Sequence, residues 1–565
     1  SKRRSISYAN LKAAFPEKSC REIKNINRGH FRNLAMSVVE LFKLPAMGQS
    51  YLNRHAEIKG LENEDAVLKK DKGLIVLTGH FGNWEIASLV SSLRGHTMSV
   101  FAREQKYKRL NALLNRYRET TGCKVITKGF SIREIIKTLN NNGIVAMLGD
   151  QNAGPGGILV DFFGRPASAA PGPVAFSMKT GAGIVPAFTR RVAFDKHEVI
   201  FEKPLALINT GDKDKDIKEN LKNISVIFEN YIRKFPDQWL WSHKRWKMTT
   251  VRRVLVLSDG KTGHVNQAMA VTDMIEGALG SRLQRSGADR PPVVKIDQVE
   301  LKFKSRFSRF LLDIASLCAG RHCQGCLRCL RFCLTKDTFE KIKGYADIVI
   351  SCGASAAAAN IFLKYENNAN NAVIMKPGFG RGGKFNLIIL PRHDAPKKIR
   401  PNMLITEAAP NRIEPRVNSN GGIGLLIGGD AKGFKLTIES VKEACEEVVR
   451  IAEETERDIF VTTSRRTSPE IDSFLKNRLK DNDRCKMLVI ANEKNAEGTV
   501  SNILDASEIV VVSPESVSMI SEAASSGRYT VVFKSGVIAG KYESVITSLE
   551  NRGYIKITKP DGIYN

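Results

Sequence analysis

The sequence predicts an α/β fold, and three observations carry that prediction. Short buried-strand runs alternate with basic helical stretches over the first 250 residues, and a strand–glycine loop–helix layout opens twice more, near residues 254 and 423. The composition is that of a folded chain, 42% hydrophobic and 26% charged, with no low-complexity tract and no internal repeat. At 565 residues the chain exceeds a single core. A prior of about 150 residues per domain predicts three or four domains, or two of double size.

From about Ser5 to Leu61 apolar residues recur at three-to-four spacing, as in "NLAMSVVELFKL", which predicts helices. The run "GLIVLT", Gly73 to Thr78, predicts a buried strand, and strand-like runs follow at "GIVAML" (143–148), "GIVPAF" (183–188) and "HEVIFEKPL" (197–205). This part closes at "PDQWLWSHKRWK", Pro236 to Lys247. A fresh start comes at "VRRVLVLSDGKTGHVNQAMAV", where the strand Val254–Leu257 enters a glycine-containing loop and then a helix. The layout returns at "GGIGLLIGGDAKGF" (421–434), after the Pro- and Asn-rich "APNRIEPRVNSNGG". Two such openings predict two Rossmann-like halves facing across a cleft. Linkers near residues 250 and 418 give three domains, 1–250, 251–418 and 419–565.

The formal charge is +28, and it is uneven: residues 1–250 carry 41 Lys+Arg against 23 Asp+Glu, while residues 251–565 carry 46 against 36. Such an excess favours a polyanionic partner, nucleic acid or an anionic membrane surface. No nucleic-acid-binding motif with interleaved basic and aromatic residues is found, which argues against nucleic acid. No apolar run approaches the ~18 to 20 residues of a spanning helix, and no signal peptide is visible. Ten cysteines in this length make no disulfide framework, and scattered ones such as Cys20, Cys123, Cys352, Cys445 and Cys485 fit a reducing compartment.

The first chemistry lies in "LTGHFGNWE", where His80 directly follows a buried strand and Glu85 comes five residues later. On a straight helix the two side chains would point about 140° apart, since each residue advances about 100°. They can meet if His80 sits in the turn ahead of the helix, and Gly79 and Gly82 give that turn its freedom. The pair would then act as a general base with its orienting carboxylate. The bland alternative is a satisfied His at a strand end beside a surface Glu.

The blocks "HFGNWE", "FAREQKYKRLNALLNRYRETTG", "GDQNAGPGGILVDFFGRPA", "PGPVAFSMKTGAGIVPAF" and "PDQWLWSHKRWK" resemble, in order, those of the late lipid A acyltransferases, over residues 1–247. The resemblance implies a lysophospholipid-acyltransferase-like α/β domain. It would transfer a fatty acyl group from an acyl carrier protein, or acyl-CoA, to a hydroxyl of a lipid A-type glycolipid at the cytoplasmic face of the bacterial inner membrane. By position, His80 is the base and Glu85 its partner; Arg103 and Asn111 would hold acceptor phosphate. Asp150 and Gln151 follow the third strand, and Phe163, Gly164 and Arg165 would shape the acceptor site. For Arg103 a solvated helix-end charge is the alternative. Relatives commonly carry Thr where this chain reads Ser168-Ala169-Ala170, which bears on a fine substrate contact and leaves the base unaffected. Family members usually begin with a hydrophobic anchor helix. The expectation here is either an anchor ahead of Ser1 or peripheral attachment through the basic face. Trp239, Trp241 and Trp246, interleaved with His243, Lys244 and Arg245, suit a membrane interface or a domain core equally.

Residues 252–534 resemble the family named for plant elongated-mitochondria proteins, whose bacterial members are candidate glycosyltransferases of GT-B form. The blocks are "SDGKTGHVNQA", "PRHD" (391–394), "LLIGGDAKGF" (425–434), "TTSRRTSPE" (462–470) and "VVSPESVSMISEAASSGRYTVVF" (511–533). The implied fold is a GT-B-like pair of Rossmann-like domains that needs no metal or other cofactor, with a nucleotide-sugar as donor. In the first loop, Gly263 and His264 belong to the site, with His264, Asp259 or Asp394 after His393 as acceptor-side base. Gly428, Gly429 and the following helix would offer N–H groups to a diphosphate, and Ser464, Arg465 and Arg466 add donors and charge. Glu515 and Glu522 stand two helical turns apart with Ser516 between them; Glu522 would hold the donor's ribose hydroxyls. The alternative is an acyltransferase fused to a non-catalytic membrane scaffold, since glycine turns after strands are common.

Cys323, Cys326, Cys329 and Cys333 in "HCQGCLRCLRFC" fall at a ferredoxin-like spacing, enough thiols for one iron–sulfur cluster or a zinc. Leu334 stands where ferredoxins have Pro, and no second cysteine run exists, so electron transfer is not expected. As one helix the run would put the thiols on a single ~120° face opposite Arg321, Arg328 and Arg331, an amphipathic basic helix fit for an anionic membrane.

Overall fold

A computed structural model of the chain describes residues 2–96, 98–101, 107–126, 131–285, 291–415, 421–431, 434–494, 498–535 and 540–563. The N-terminal part is built on a seven-stranded sheet. Its spatial order is Ala56–Lys59, His197–Phe201, Gly183–Arg191, Leu74–Thr78, Ile144–Leu148, Met98–Phe101, Cys123–Ile126. All neighbours are parallel except Gly183–Arg191 and His197–Phe201. Strands buried on both faces read as continuous apolar runs rather than alternations. In "LIVLT", Ile75 and Leu77 join the core under helix Lys213–Lys234, while Leu74 and Val76 join the core under helix Trp84–Ser92. The three strands the sequence leaves unread, Ala56–Lys59, Met98–Phe101 and Cys123–Ile126, are four residues each, too short for a periodicity to show.

The rest of the chain forms two six-stranded parallel sheets. The first runs Val293–Glu300, Val251–Ser258, Ile348–Cys352, Asn370–Ile374, Leu387–Pro391, Met403–Thr406. In sequence order this is 2-1-3-4-5-6, the flavodoxin-like winding. The second runs Cys485–Val489, Ile459–Thr462, Gly422–Leu426, Ser507–Val512, Tyr529–Phe533, Lys556–Thr558, the Rossmann order 3-2-1-4-5-6. The expected GT-B-like pair is therefore present, with each half wound differently. In each, the strand order reverses beside its opening strand, the point at which such sheets can form a crevice at the strand C-termini.

A buried seam joins the N-terminal part to the first of these halves. Tyr8 Oη donates to Glu366 Oε1 at 2.8 Å, and Lys12 Nζ pairs with the same oxygen at 3.3 Å and donates to Asn367 Oδ1 at 2.9 Å. Arg165 Nη2 donates to both carboxylate oxygens of Asp347 at 3.0 Å, and its guanidinium lies 5.1 Å from the Tyr345 ring centroid. Arg165, expected to shape an acceptor site, is therefore a buried structural cation of this seam. It faces Asp347 because it starts the second strand of a hairpin, Ile158–Phe162 and Arg165–Ala169, that leans on the neighbouring half.

The cysteine run lies on the same seam and is not one helix. A 3-10 turn, Arg321–Cys323, is separated from helix Arg328–Cys333 by Gly325, whose φ of +73° ends any helical path. Gly325 N donates to Glu366 Oε2 at 2.6 Å, and a Cβ there would lie 2.3 Å from Lys24 Cε. Gln324 Nε2 donates to Ser5 O at 3.1 Å. The turn is thus moulded to the docked N-terminal helix Lys2–Ala14, and the predicted one-faced basic helix does not form. Cys323 and Cys329 pack against the core and Cys333 is within it. Among the described residues no three His, Cys, Asp or Glu side chains converge as a metal site requires, and no helix is long and apolar enough to cross a membrane.

Candidate functional site

Parallel register builds the first site. Thr78 pairs with Leu148, so residues two beyond each strand end, His80 and Asp150, stand side by side. His80 Nδ1–H donates to Asp150 Oδ1 at 2.8 Å; Asp150 Oδ2 accepts from the His80 amide and from Trp239 Nε1, both at 2.8 Å. A carboxylate at Nδ1 fixes the ring proton there and leaves the Nε2 lone pair as base. The Gln151 side-chain amide lies 3.1 Å from Nε2, and the Trp84 ring lies 4.9 Å from the imidazole. The turn itself is pinned: Gly82 N donates to Gln238 O, Leu240 N donates to His80 O, and Gly82 has φ +56° with a Cβ position only 1.7 Å from Thr189 O.

His80 does lie in the turn ahead of the helix, but Glu85 is not its partner. Glu85 sits in the first turn of helix Trp84–Ser92, whose cap Asn83 accepts from Glu85 N. Its carboxylate takes a bidentate pair from Arg118, Nη2 to Oε1 at 2.6 Å and Nε to Oε2 at 3.1 Å. The partly buried Arg118 guanidinium claims the Glu85 carboxylate, and sheet register gives His80 the carboxylate of Asp150 instead. Asn111 is on the same helix as Arg118, Lys108–Glu119, two turns earlier and so on the same face. Arg103 lies outside the described residues.

Asp150 is buried. Burial pushes its carboxyl up, but the charge and hydrogen bonds of His80, with the Trp239 donor, outweigh this and hold it at about 2. It is a carboxylate at every physiological pH. Arg245, buried nearby, donates to Gln151 O and Ser168 O; desolvation lowers it only to about 10, so it stays a cation. Burial takes His243 down to about 4, and as a neutral ring its Nε2 accepts from Asn152 N at 3.0 Å. Trp239, Trp241 and Trp246 are core residues, which decides between the two readings their sequence allowed. Phe163 and Gly164, both at positive φ, form the two-residue hairpin turn. The Phe163 ring packs on Phe15 and Trp241, so these two residues buttress the wall behind Trp239 rather than line the base. Sequence reasoning did not find Arg118, Trp239 or Arg245 as site residues, because each works through a partner remote in the chain.

A second site opens at the crevice of the first parallel sheet. A cavity of 590 Å³ is lined by Asp259, His264, Arg309, Ser355, Lys376 and Asp394, among others. His264 Nδ1 and Asp259 Oδ1 are 2.9 Å apart, and Ser355 Oγ donates to Asp259 Oδ2 at 2.9 Å. Three residues named separately as acceptor-side bases, Asp259, His264 and Asp394, are thus brought together. Gly263 faces the other half, where a Cβ would lie 3.9 Å from Ser518 Oγ, and Ser518 Oγ donates to Glu522 Oε1 at 3.3 Å. Burial raises the Glu522 carboxyl to about 7.

The glycine loop of the second half differs from expectation. Gly428 N donates to Ser513 Oγ and Gly429 N to Glu515 Oε1, both at 2.7 Å, so neither amide is offered to a diphosphate. The following helix begins only at Ile438, so its N-terminus is remote from these glycines in sequence. A Cβ on Gly428 would lie 1.9 Å from Glu515 Oε1, which makes the pair close-packing glycines. Glu515 is buried and raised by desolvation; it tethers this loop. Ser516 is buried at the head of helix Val517–Ser525, and Ser464 caps Arg466 N within the loop that exposes Arg465 and Arg466.

A histidine–aspartate pair at the strand ends of one α/β domain, ahead of two facing parallel-sheet domains, makes the chain an α/β domain fused to a GT-B-like module. Residues 262–561 match the family model described as Mitochondrial fission ELM1, and the chain belongs to that family. Residues 1–248 match the one described as Bacterial lipid A biosynthesis acyltransferase and form a domain of that type. A phosphatidylinositol mannoside acyltransferase of Mycobacterium tuberculosis is 31% identical over 153 residues, 26% of this chain and 48% of that protein. The match thus spans about half the length of that relative. The lipid A biosynthesis palmitoleoyltransferase of Escherichia coli is 23% identical over 253 residues, 44% of this chain and 80% of that protein. Among solved structures, the ADP-heptose lipopolysaccharide heptosyltransferase II of E. coli is 10% identical with a TM-score of 0.29, covering 53% of this chain and 91% of that one.

Proposed function

We propose that the N-terminal half transfers a fatty acyl group from an acyl carrier protein, or from coenzyme A, to a hydroxyl of a membrane glycolipid of lipid A or phosphatidylinositol mannoside type, at the cytoplasmic face of the bacterial inner membrane. The observation that carries this reading is the His80–Asp150 pair, with Nδ1 tied to a buried carboxylate and Nε2 turned away from it. Nε2 takes the acceptor hydroxyl's proton as that oxygen attacks the thioester carbonyl. The carbon–sulfur bond then breaks, and the imidazolium returns the proton to the departing thiolate. Asp150 stabilises the imidazolium formed in between. The test is acyl transfer from labelled acyl carrier protein into a lipid A precursor and into a phosphatidylinositol mannoside, by wild type and by His80→Ala. Loss of ~10²- to 10⁴-fold in kcat is expected; wild-type rates in the alanine variant overturn the assignment.

A second reading concerns the C-terminal half, where nucleotide-sugar-dependent glycosyl transfer is favoured by the Asp259–His264–Ser355 constellation in a cavity of 590 Å³ and by Glu522 reached through Ser518 across the crevice. Calorimetric titration with nucleoside diphosphates tests it. Absence of heat for uridine, guanosine and adenosine diphosphates alike would favour a non-catalytic scaffold.

A further inference from the structure

Helix Arg306–Cys318 is built inside out. Its inward positions are Ser308, Leu312 and Ser316; Ser308 Oγ donates to Cys333 O, and Ser316 Oγ accepts from Arg381 Nε. Its outward positions are apolar, with Phe307 67%, Phe310 57%, Ile314 49% and Leu317 41% exposed. At about 100° per residue these four fall within ~80° of the helix circumference. Helices of soluble domains turn such a stripe to the core. The stripe is continued at both ends. Phe332, 65% exposed, lies beside Lys304 just ahead of the helix, with the ammonium 5.9 Å from its ring. Phe379, 98% exposed, precedes Gly380, whose Cβ position is 3.0 Å from Leu317 Cδ2.

Charge identifies what covers this face. Residues 301–336 contain eight Lys or Arg, at 302, 304, 306, 309, 321, 328, 331 and 336, against one acid, Asp313. Asp313 is already paired with Arg381 at 2.8 Å. A partner protein's apolar patch would not need this excess of cations; an anionic bilayer supplies both an apolar interior and a negative surface. Arg309 of this helix and Phe303 just ahead of it also line the cavity that holds Asp259 and His264, so the helix that carries the stripe forms part of that cavity's wall.

We propose that helix Arg306–Cys318, with Phe332 and Phe379, lies in the interface of an anionic phospholipid bilayer and turns the cavity of the GT-B-like module toward the membrane surface. The inference deepens the membrane-glycolipid reading above and rests on it for its purpose. The binding itself is measured without turnover, so the two can fail separately.

The full chain is sedimented with vesicles of mixed phosphatidylglycerol and phosphatidylethanolamine, and with vesicles of phosphatidylcholine alone. Binding to the anionic vesicles should fall at least ~10-fold in Phe307→Ser/Phe310→Ser, because two rings leave the acyl boundary. It should fall also in Lys304→Glu/Arg331→Glu, and acyl transfer to a detergent-dispersed acceptor should be unchanged in both. In Phe310→Trp, indole emission should shift to the blue with anionic vesicles, which separates this contact from any made by the N-terminal half. Undiminished binding in the double serine variant, or no emission shift, overturns the proposal. So does a wild-type dimer that the serine variant converts to monomer, since a second copy would then be the occupant.

Discussion

At His80 the proposed acyl transfer turns on which carboxylate faces Nδ1, and two variants separate the candidates. Asp150→Asn keeps the packing but presents an amide, so the ring loses its fixed tautomer and the imidazolium its counter-charge. A kcat loss of ~10²-fold or more with little change in melting temperature is expected. Glu85→Ala leaves the partly buried Arg118 without its carboxylate and should cost about 1–3 kcal/mol of stability, read by thermal denaturation. Should Glu85→Ala instead abolish turnover while melting like wild type, Glu85 and not Asp150 would be the orienting carboxylate. The histidine was legible because a lone His after a buried strand is a local pattern. Its carboxylate was legible only as one member of a resembling block, since 70 residues of chain separate the two. Register, which brings them together, is a property of the sheet and not of any short window. Glu522 offers a pH test at the same scale. Its carboxyl is raised to about 7 by burial, so between the ordinary carboxylate value and 7 the folded state holds a proton that the unfolded state releases, and stability falls as pH climbs through that window. A nucleotide whose ribose hydroxyls donate to this carboxylate should bind more tightly above pH 7 than below it. Glu522→Gln should flatten that dependence in calorimetric titrations.

At the level of elements, function is set by how strands end. The turn Gly79 to Gly82 can present His80 only because its backbone runs where a side chain would collide: Gly82 holds φ +56° with Thr189 O against its Cβ position. Gly82→Ala should lower stability by ~1–3 kcal/mol for the backbone strain alone, with the clash in addition, and should reduce turnover through displacement of His80. Unaltered melting and unaltered turnover would show that the turn relaxes freely. The second glycine loop teaches the opposite lesson. "GGD" after a strand reads as a phosphate loop, yet the amides of Gly428 and Gly429 are consumed by Ser513 and Glu515, which follow the neighbouring strand Ser507–Val512. A motif states what a backbone could donate; the adjoining strand's residues determine whether the donors are free. The cysteine run failed as a helix for a similar reason. Gly325 permits helical and left-handed backbone alike, and the docked side chains of Tyr8 and Lys24 select the second.

Across the whole molecule, fusion is structural as well as genetic, because the seam is made of buried charge. Glu366 gathers Tyr8, Lys12 and the Gly325 amide, and Asp347 gathers Arg165, Tyr345 and the amide of Arg253. Every one of these contacts ties a residue of one part to a residue of another or fixes the acid that does so. Removing one partner of a buried pair leaves the other uncompensated, at about 3–5 kcal/mol each. The double variant Glu366→Ala/Asp347→Ala therefore leaves Lys12 and Arg165 without a counter-charge on the surface where the N-terminal domain docks. Scanning calorimetry of wild type should show the N-terminal domain and the first parallel-sheet half unfolding together. In the double variant they should separate into two transitions, with limited proteolysis newly cutting between residues 247 and 252. His80, Asp150 and the cavity around His264 all lie outside this seam. Acyl transfer to a detergent-dispersed acceptor should therefore persist in the uncoupled variant, whereas a glycolipid handed between the two sites on one membrane would be processed less efficiently. A double variant that melts in one unshifted transition would mean that apolar packing alone couples the halves.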